Sequence, residues 1–186
     1  MPDQSKNSDE QLVLQAQQEL PYRATAYEQL MNQYQSYLYR LIFASLKDPD
    51  ESQDVLQEVM VRVFKSLPGF QHKSTFKTWL TTIAINRCNT RHEKLKRDAQ
   101  IKELLKGEHS AEEEYYDYHP ESASDDFGQL IKGLNYQERQ ILSLRFLAEL
   151  DLKEIASIVG LALSATKMKY YRSLDKIKKK QQDSSE

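Results

Sequence analysis

Asp151-Leu-Lys-Glu154-Ile155-Ala156-Ser-Ile-Val159-Gly160-Leu-Ala-Leu-Ser164-Ala-Thr-Lys167-Met-Lys169-Tyr-Tyr171-Arg172 is the stretch of sequence that decides the fold. Asp151, with Glu154 three positions on, is a capping pair that starts a short helix, and Ile155, Ala156 and Val159 fall at the spacing of one apolar helix face. Gly160 can take the left-handed conformation that ends a helix, and after three apolar residues Ser164 is placed to cap the next one. Helix, tight glycine turn, helix is the helix-turn-helix pattern. The second helix carries Lys167, Lys169, Arg172, Lys176, Lys178, Lys179 and Lys180 against the one acid Asp175. That charge suits a helix that enters a DNA groove.

Upstream of this unit, Asn135 and Glu138 form another capping pair before Ile141, Leu142, Leu144, Phe146 and Leu147. Between Glu108 and Asp126 stand eight acidic residues (Glu108, Glu112, Glu113, Glu114, Asp117, Glu121, Asp125 and Asp126) with no Lys or Arg and little to bury, the composition of a linker. The N-terminal part has its own helical periodicity. Ser8 with Gln11 predicts a short helix carrying Leu12 and Leu14, and Leu30, Met31, Tyr34, Leu38, Leu41 and Ile42 recur at three- and four-residue steps until Asp48-Pro49 signals a turn. A helix over about 51–67 presents Val55, Leu56, Val59, Met60, Val63, Phe64 and Leu67, and Pro68-Gly69 stops it. After a loop over 70–74, a third helix buries Phe76, Trp79, Leu80, Ile83 and Ala84, and its later turns become basic. The fold class is therefore all-α, two small helical domains joined by a flexible acidic linker. Residues 1–7 are a disordered tail, 8–106 the first domain, 107–126 the linker and 127–181 the second domain.

Composition narrows the function. The 186 residues hold few glycines and prolines, five of each, and the formal net charge of -2 rules out a uniformly basic nucleic-acid binder without saying how charge is distributed. Cys88 is the one cysteine, so no intramolecular disulfide and no cysteine-based metal site can form, which fits a reducing, cytoplasmic setting. Met1 to Glu10 is polar, and no apolar run reaches the roughly 18 residues that span a bilayer. There is no glycine-rich phosphate loop, and His72, His92, His109 and His119 have no metal or catalytic spacing. No enzyme, cofactor, metal or small-molecule substrate is expected.

The segments Asp54-Val-Leu-Gln57-Glu58-Val-Met-Val-Arg-Val-Phe64, Gly69-Phe70, Phe76-Lys-Thr-Trp79-Leu80-Thr-Thr-Ile83-Ala84-Ile-Asn86, and Glu154-Ile155-Ala156 through Gly160 to Arg172 together resemble the extracytoplasmic-function sigma factors of bacterial RNA polymerase. The resemblance runs from Ser8 to about Lys180, with two independent motif sets in the right order. It implies that the first domain is sigma region 2 and the second sigma region 4. It further implies that Asp54, Gln57 and Glu58 bind a coiled coil of the core polymerase. Taken alone, such a polar trio reads as a solvated helix face.

By the same resemblance, the loop and third helix handle the promoter's minus-ten element, where a strand is opened and a base extruded. Phe70, Lys73, Ser74, Thr75 and Asn86 are the matching residues, with Arg87, Arg91, Lys94, Lys96 and Arg97 on phosphates. Trp79 on an apolar stripe reads as core, and Phe70, a loop aromatic beside Pro68-Gly69, reads either as a minus-ten contact or as a cover for the core. Thr90 departs from the Asp or Asn that relatives often carry there, so a base contact from that position is not carried over. For the minus-thirty-five element the candidates are Ser164, Lys167, Lys169, Tyr171 and Arg172, with Lys167 and Arg172 on bases or phosphates. Ser164 and Ala165 stand where the family has Gly and Thr, which points to a different promoter sequence. The acidic linker reads either as a mimic of the transcript in the polymerase's RNA path or as a solubilising tether. An anti-sigma partner, often membrane-linked, is also implied. A stand-alone DNA-binding regulator would share the helix-turn-helix but needs a ligand or phosphoacceptor domain upstream, and no such pattern precedes Asp126.

Overall fold

Each helix boundary has a local chemical cause. The structure, a computed structural model, describes residues 4–106 and 126–183. Of the acidic stretch, all but Asp126 lies outside the described residues. Helix α1 (Gln4–Glu19) starts before Ser8, which therefore sits within it rather than capping it. It buries Val13 and Ala16, and Leu20 just beyond it, while Leu14 is exposed. Leu12 and Leu14 are two residues apart and cannot share a helix face. Helix α2 (Thr25–Leu46) ends at Lys47, whose left-handed backbone lets its N–H donate to the Phe43 carbonyl. Asp48 then accepts from the Glu51 N–H at 2.8 Å, with Pro49 in the first turn, so the residues read as a turn also start α3 (Pro49–Ser66).

A 3-10 turn at Leu67–Gly69 leads through the loop to α4 (Phe76–Lys106), a helix of 31 residues. Phe76, Leu80 and Ala84 are buried as expected, Trp79 and Ile83 half-buried, and Ile85 and Cys88 are fully inside. The remainder is α5 (Asp126–Leu130), α6 (Tyr136–Phe146), α7 (Leu152–Val159) and α8 (Leu163–Asp183). Among the described residues every regular element is helical. Both capping boxes are made in full: Asn135 with Glu138 on α6, and Asp151 with Glu154 on α7.

The two helical sets share one core. Leu30, Leu38, Leu41 and Ile42 of α2 pack with Val55, Val59 and Val63 of α3 and Leu80, Ala84 and Ile85 of α4, and the same cluster continues into Ile141, Leu144 and Ile155 of α6 and α7. A smaller cluster joins Ala44 of α2 to Ile131, Leu134, Leu142 and Ile177. Polar contacts line the seam. Asn89 accepts from the Tyr136 hydroxyl at 2.9 Å and from Gln140 at 2.7 Å, the His92 and Tyr136 rings stack at 3.7 Å, and Arg139 donates to the Ser45 carbonyl at 3.2 Å.

Cys88 lies in this shared core with no exposed area, and burial pushes its thiol up to about 12. Only the thiolate reacts fast, so native protein is expected to leave Ellman's reagent unreacted at pH 7 and to release one equivalent on denaturation. Rapid labelling of the native chain would show that α2, α4 and α6 do not stay packed.

Candidate functional site

One side chain of α1 holds the loop that precedes α4. The Gln17 amide donates to the Leu67 carbonyl at 3.1 Å and to the Phe70 carbonyl at 2.9 Å. Its oxygen also meets His72 Nε2 at 2.9 Å. His72 is held at φ 55, in the left-handed region that costs a non-glycine residue about 1 kcal/mol or more. Phe70 does not point outward. It is buried, its ring 4.8 Å from Trp79, 6.2 Å from Phe76 and 4.6 Å from His72. Lys73, Ser74 and Thr75 are exposed. The Thr75 hydroxyl accepts from the Thr78 N–H at 3.1 Å, so it caps α4.

These residues border a cleft of about 410 Å³, roomy enough for a small planar group. Phe70, His72, Ser74, Thr75 and Phe76 form one side, Asp9 and Glu10 of α1 and Tyr34 of α2 the other, and Lys77 and Glu149 meet at 3.7 Å on its rim. Burial, and then the hydrogen bond to Asp9, raise the Tyr34 phenol, which stays protonated and donates. Asn86 is exposed on α4 and does not line the cleft.

The α3 trio divides. Asp54 and Gln57 are exposed, but Glu58 is half-buried and tied to α4, accepting from Arg87 Nε at 3.1 Å and Arg91 Nη2 at 2.7 Å. Arg91 also pairs with Glu51 and lies 3.6 Å from Asp54. Two of the three guanidinium groups expected on phosphates, those of Arg87 and Arg91, are thus engaged by carboxylates of α3. The sequence carries a signal for this that periodicity alone does not expose: Arg87 and Arg91 are four apart on one face, and the acids they meet at 51, 54 and 58 follow at steps of three and four on another. Asp54, Gln57, Glu58, Val61, Arg62, Lys65 and Arg87 together line an open cleft.

In the helix-turn-helix, Gly160 ends α7 at φ 69, with its N–H on the Ala156 carbonyl. Helix α8 then begins one residue before Ser164. The Ala162 carbonyl accepts the Thr166 N–H at 3.0 Å, so Ala162 holds the cap position and Ser164 lies in the first turn. Thr166, Ser173 and Ile177 are buried, while Ser164, Lys167, Tyr171 and Arg172 are exposed and Lys169 is half-buried on the flank. Among the described residues no group of His, Cys, Asp or Glu could hold a metal ion, and no helix is long and apolar enough to cross a membrane.

Two family models match in this order, Sigma-70 region 2 over residues 28–98 and Sigma-70 region 4 over residues 130–179. The RNA polymerase sigma factor SigV of Bacillus subtilis is 30% identical over 141 residues, covering 73% of this chain and 79% of SigV. The chain belongs to the extracytoplasmic-function sigma factors. Its similarity to the ECF RNA polymerase sigma factor SigW of Bacillus subtilis, 26% identical, extends over 85% of this chain and 90% of SigW. The fold is that of the sigma factor RpoE of Bartonella quintana, solved in complex with the anti-sigma factor NepR. It superposes with a TM-score of 0.67 at 20% identity, covering 82% of this chain and 94% of RpoE. The sigma factor is a transcription initiation factor and not an enzyme. Its region 2 match begins within α2, so α1, which pins the loop, precedes the matched span.

The α3–α4 ion pairs have a pH signature. Burial alone would raise the Glu58 carboxyl, and the hydrogen bonds from Arg87 and Arg91 outweigh it, leaving the pKa below the usual glutamate value. A lowered folded pKa stabilises the protein above the unfolded value and loses that stabilisation as pH falls through the folded one. In carbon-13 NMR, the Glu58 carboxyl is expected to titrate lower than an exposed glutamate, and to move up in Arg91→Met. An unchanged midpoint in that variant would refute the coupling.

Proposed function

We propose that this sigma factor docks on core RNA polymerase through Asp54, Gln57 and Glu58 of α3 and contacts the minus-ten element through Phe70, Lys73, Ser74, Thr75 and Asn86. In the same reading it binds the minus-thirty-five element through Ser164, Lys167, Lys169, Tyr171 and Arg172 of α8. The observation that carries the reading is the asymmetry of α8, buried along Thr166, Ser173 and Ile177 and cationic on the side that faces away. A helix so held, after a capped α7 and a glycine turn, presents its first turns to a major groove.

The exposed Asp54 and Gln57 suit a protein contact. Arg87 and Arg91 act there by holding Glu58 and Glu51 in place, which leaves the exposed Lys94, Lys96 and Arg97 as contacts to the DNA backbone. The cleft beside the loop suits an extruded base, with Phe70 forming its floor as part of the aromatic stack rather than projecting from the loop. In this reading residues 8–106 and 127–181 are the two functional domains, joined by the acidic linker 107–126, and the protein works in the cytoplasm. An anti-sigma factor as regulatory partner is supported by the relative from Bartonella quintana, which is solved with one.

Run-off transcription with purified core polymerase on a pool of genomic promoter fragments tests the function: specific transcripts are expected only when the protein is added. Asp54→Ala and Gln57→Ala are expected to weaken binding to core polymerase with thermal stability unchanged, and unaltered affinity would refute the docking face. Lys167→Ala or Arg172→Ala is expected to cost about 1–3 kcal/mol and relax specificity at one promoter position if the side chain reads a base. Measured across a set of promoter variants, an equal loss on every sequence at both positions would place the reading surface elsewhere.

A further inference from the structure

We propose that Met168 is a specificity-determining residue of α8 that reads thymine 5-methyl groups, with the Tyr171 ring as a second apolar contact. The inference rests on the reading of α8 as the helix that enters the upstream promoter element. A helix turns about 100° per residue. Met168 therefore lies close to diametrically opposite the buried line of Thr166, Ser173 and Ile177, at the centre of the outward face. Ser164 and Arg172 lie one turn to either side of it and Tyr171 three residues on, so all four share that face. Lys167 and Lys169 flank it.

The outward face is thus not uniformly cationic. Met168 is 48% exposed and Tyr171 58% exposed, side by side between Lys167 and Arg172. The Tyr171 ring meets the Tyr170 ring edge-on at 5.2 Å, and Tyr170 packs against both core clusters, which fixes the direction of Tyr171. A single exposed apolar side chain needs no explanation. Two adjoining ones at the middle of a positively charged face call for a ligand that is anionic around its edges and apolar at its centre. In the major groove the phosphates supply the first property, and the thymine methyl is the one apolar group among the base edges. The flexible thioether of methionine can follow such a surface closely. Asp175, one turn beyond Tyr171 on the same side, is unfavourable near phosphates and bounds the contact to the turns from Ser164 to Arg172.

The test uses the full chain with core polymerase on a promoter that the protein transcribes, with each thymine of the upstream element replaced singly by deoxyuridine, which removes only the methyl group. Wild-type protein is expected to lose about fourfold in open-complex formation at one or two positions, the loss corresponding to one buried methyl. Met168→Ala is expected to treat thymine and uracil alike at those positions, and Met168→Leu to keep the discrimination. Wild-type protein that is indifferent to uracil everywhere, yet sensitive to base-pair swaps in the element, overturns the proposal and leaves α8 as the reading helix. Discrimination that persists in Met168→Ala also overturns it. Indifference to base-pair swaps as well overturns the assignment of α8 itself.

Discussion

Helix α2 is buried on two sides, and the positions of the other helices follow from that. One side, through Leu30, Leu38, Leu41 and Ile42, meets α1, α3 and α4; Ala44 and Ser45 near its C-terminus meet α6 and its neighbours. The second contact is close because those two side chains are small. The Ser45 carbonyl is within reach of Arg139, whose other amino group is held by the Leu134 carbonyl at 2.7 Å. A helix with apolar residues on so wide an arc can pack against several neighbours at once, while Glu28, Gln29, Asn32, Gln33 and Ser36 keep a polar stripe exposed. The same helix supplies Tyr34 to the cleft beside the loop, so the floor of the core and the wall of that cleft are one piece of chain.

The loop before α4 depends on a different element. The carbonyls at the start and just past the end of its 3-10 turn and its histidine ring all converge on Gln17, so a helix outside the span shared with region 2 determines the shape of a surface within it. The α3 face is likewise built from a distance: its carboxylates are fixed by arginines 29 to 40 residues later, and the burial of Glu58 is tolerated because each oxygen has a guanidinium partner.

What the amino-acid sequence revealed was mostly local. The capping pairs at Asn135 and Asp151 and the left-handed Gly160 involve residues within four positions of one another, and each is formed as the spacing predicts. Ser8 and Ser164 are the exceptions: α1 begins at Gln4, ahead of Ser8, and α8 begins at Leu163 with Ala162 in the cap position, two residues before the expected cap, so the Ser164 hydroxyl has no capping role. The features that periodicity does not encode are those that join distant segments. The seam between α2 and α6, the α3–α4 ion pairs and the inward turn of Phe70 all depend on which elements meet. Phe70 in particular gains more from the company of Trp79 and Phe76 than a loop position suggests.

The shared core has a thermodynamic reach beyond stability. Separating the two helical sets exposes Ala44, Ile141 and Leu142 and leaves Asn89, Gln140 and Arg139 to find water instead of one another. Apart and together are therefore states of unequal free energy. Any partner that requires the separated state binds with its intrinsic affinity multiplied by the fraction of molecules already apart, and one that grips the joined state pulls the other way by the same linkage. Residues outside the proposed DNA and polymerase contacts, such as His92 and Tyr136, whose rings stack in the seam, thereby weight that equilibrium.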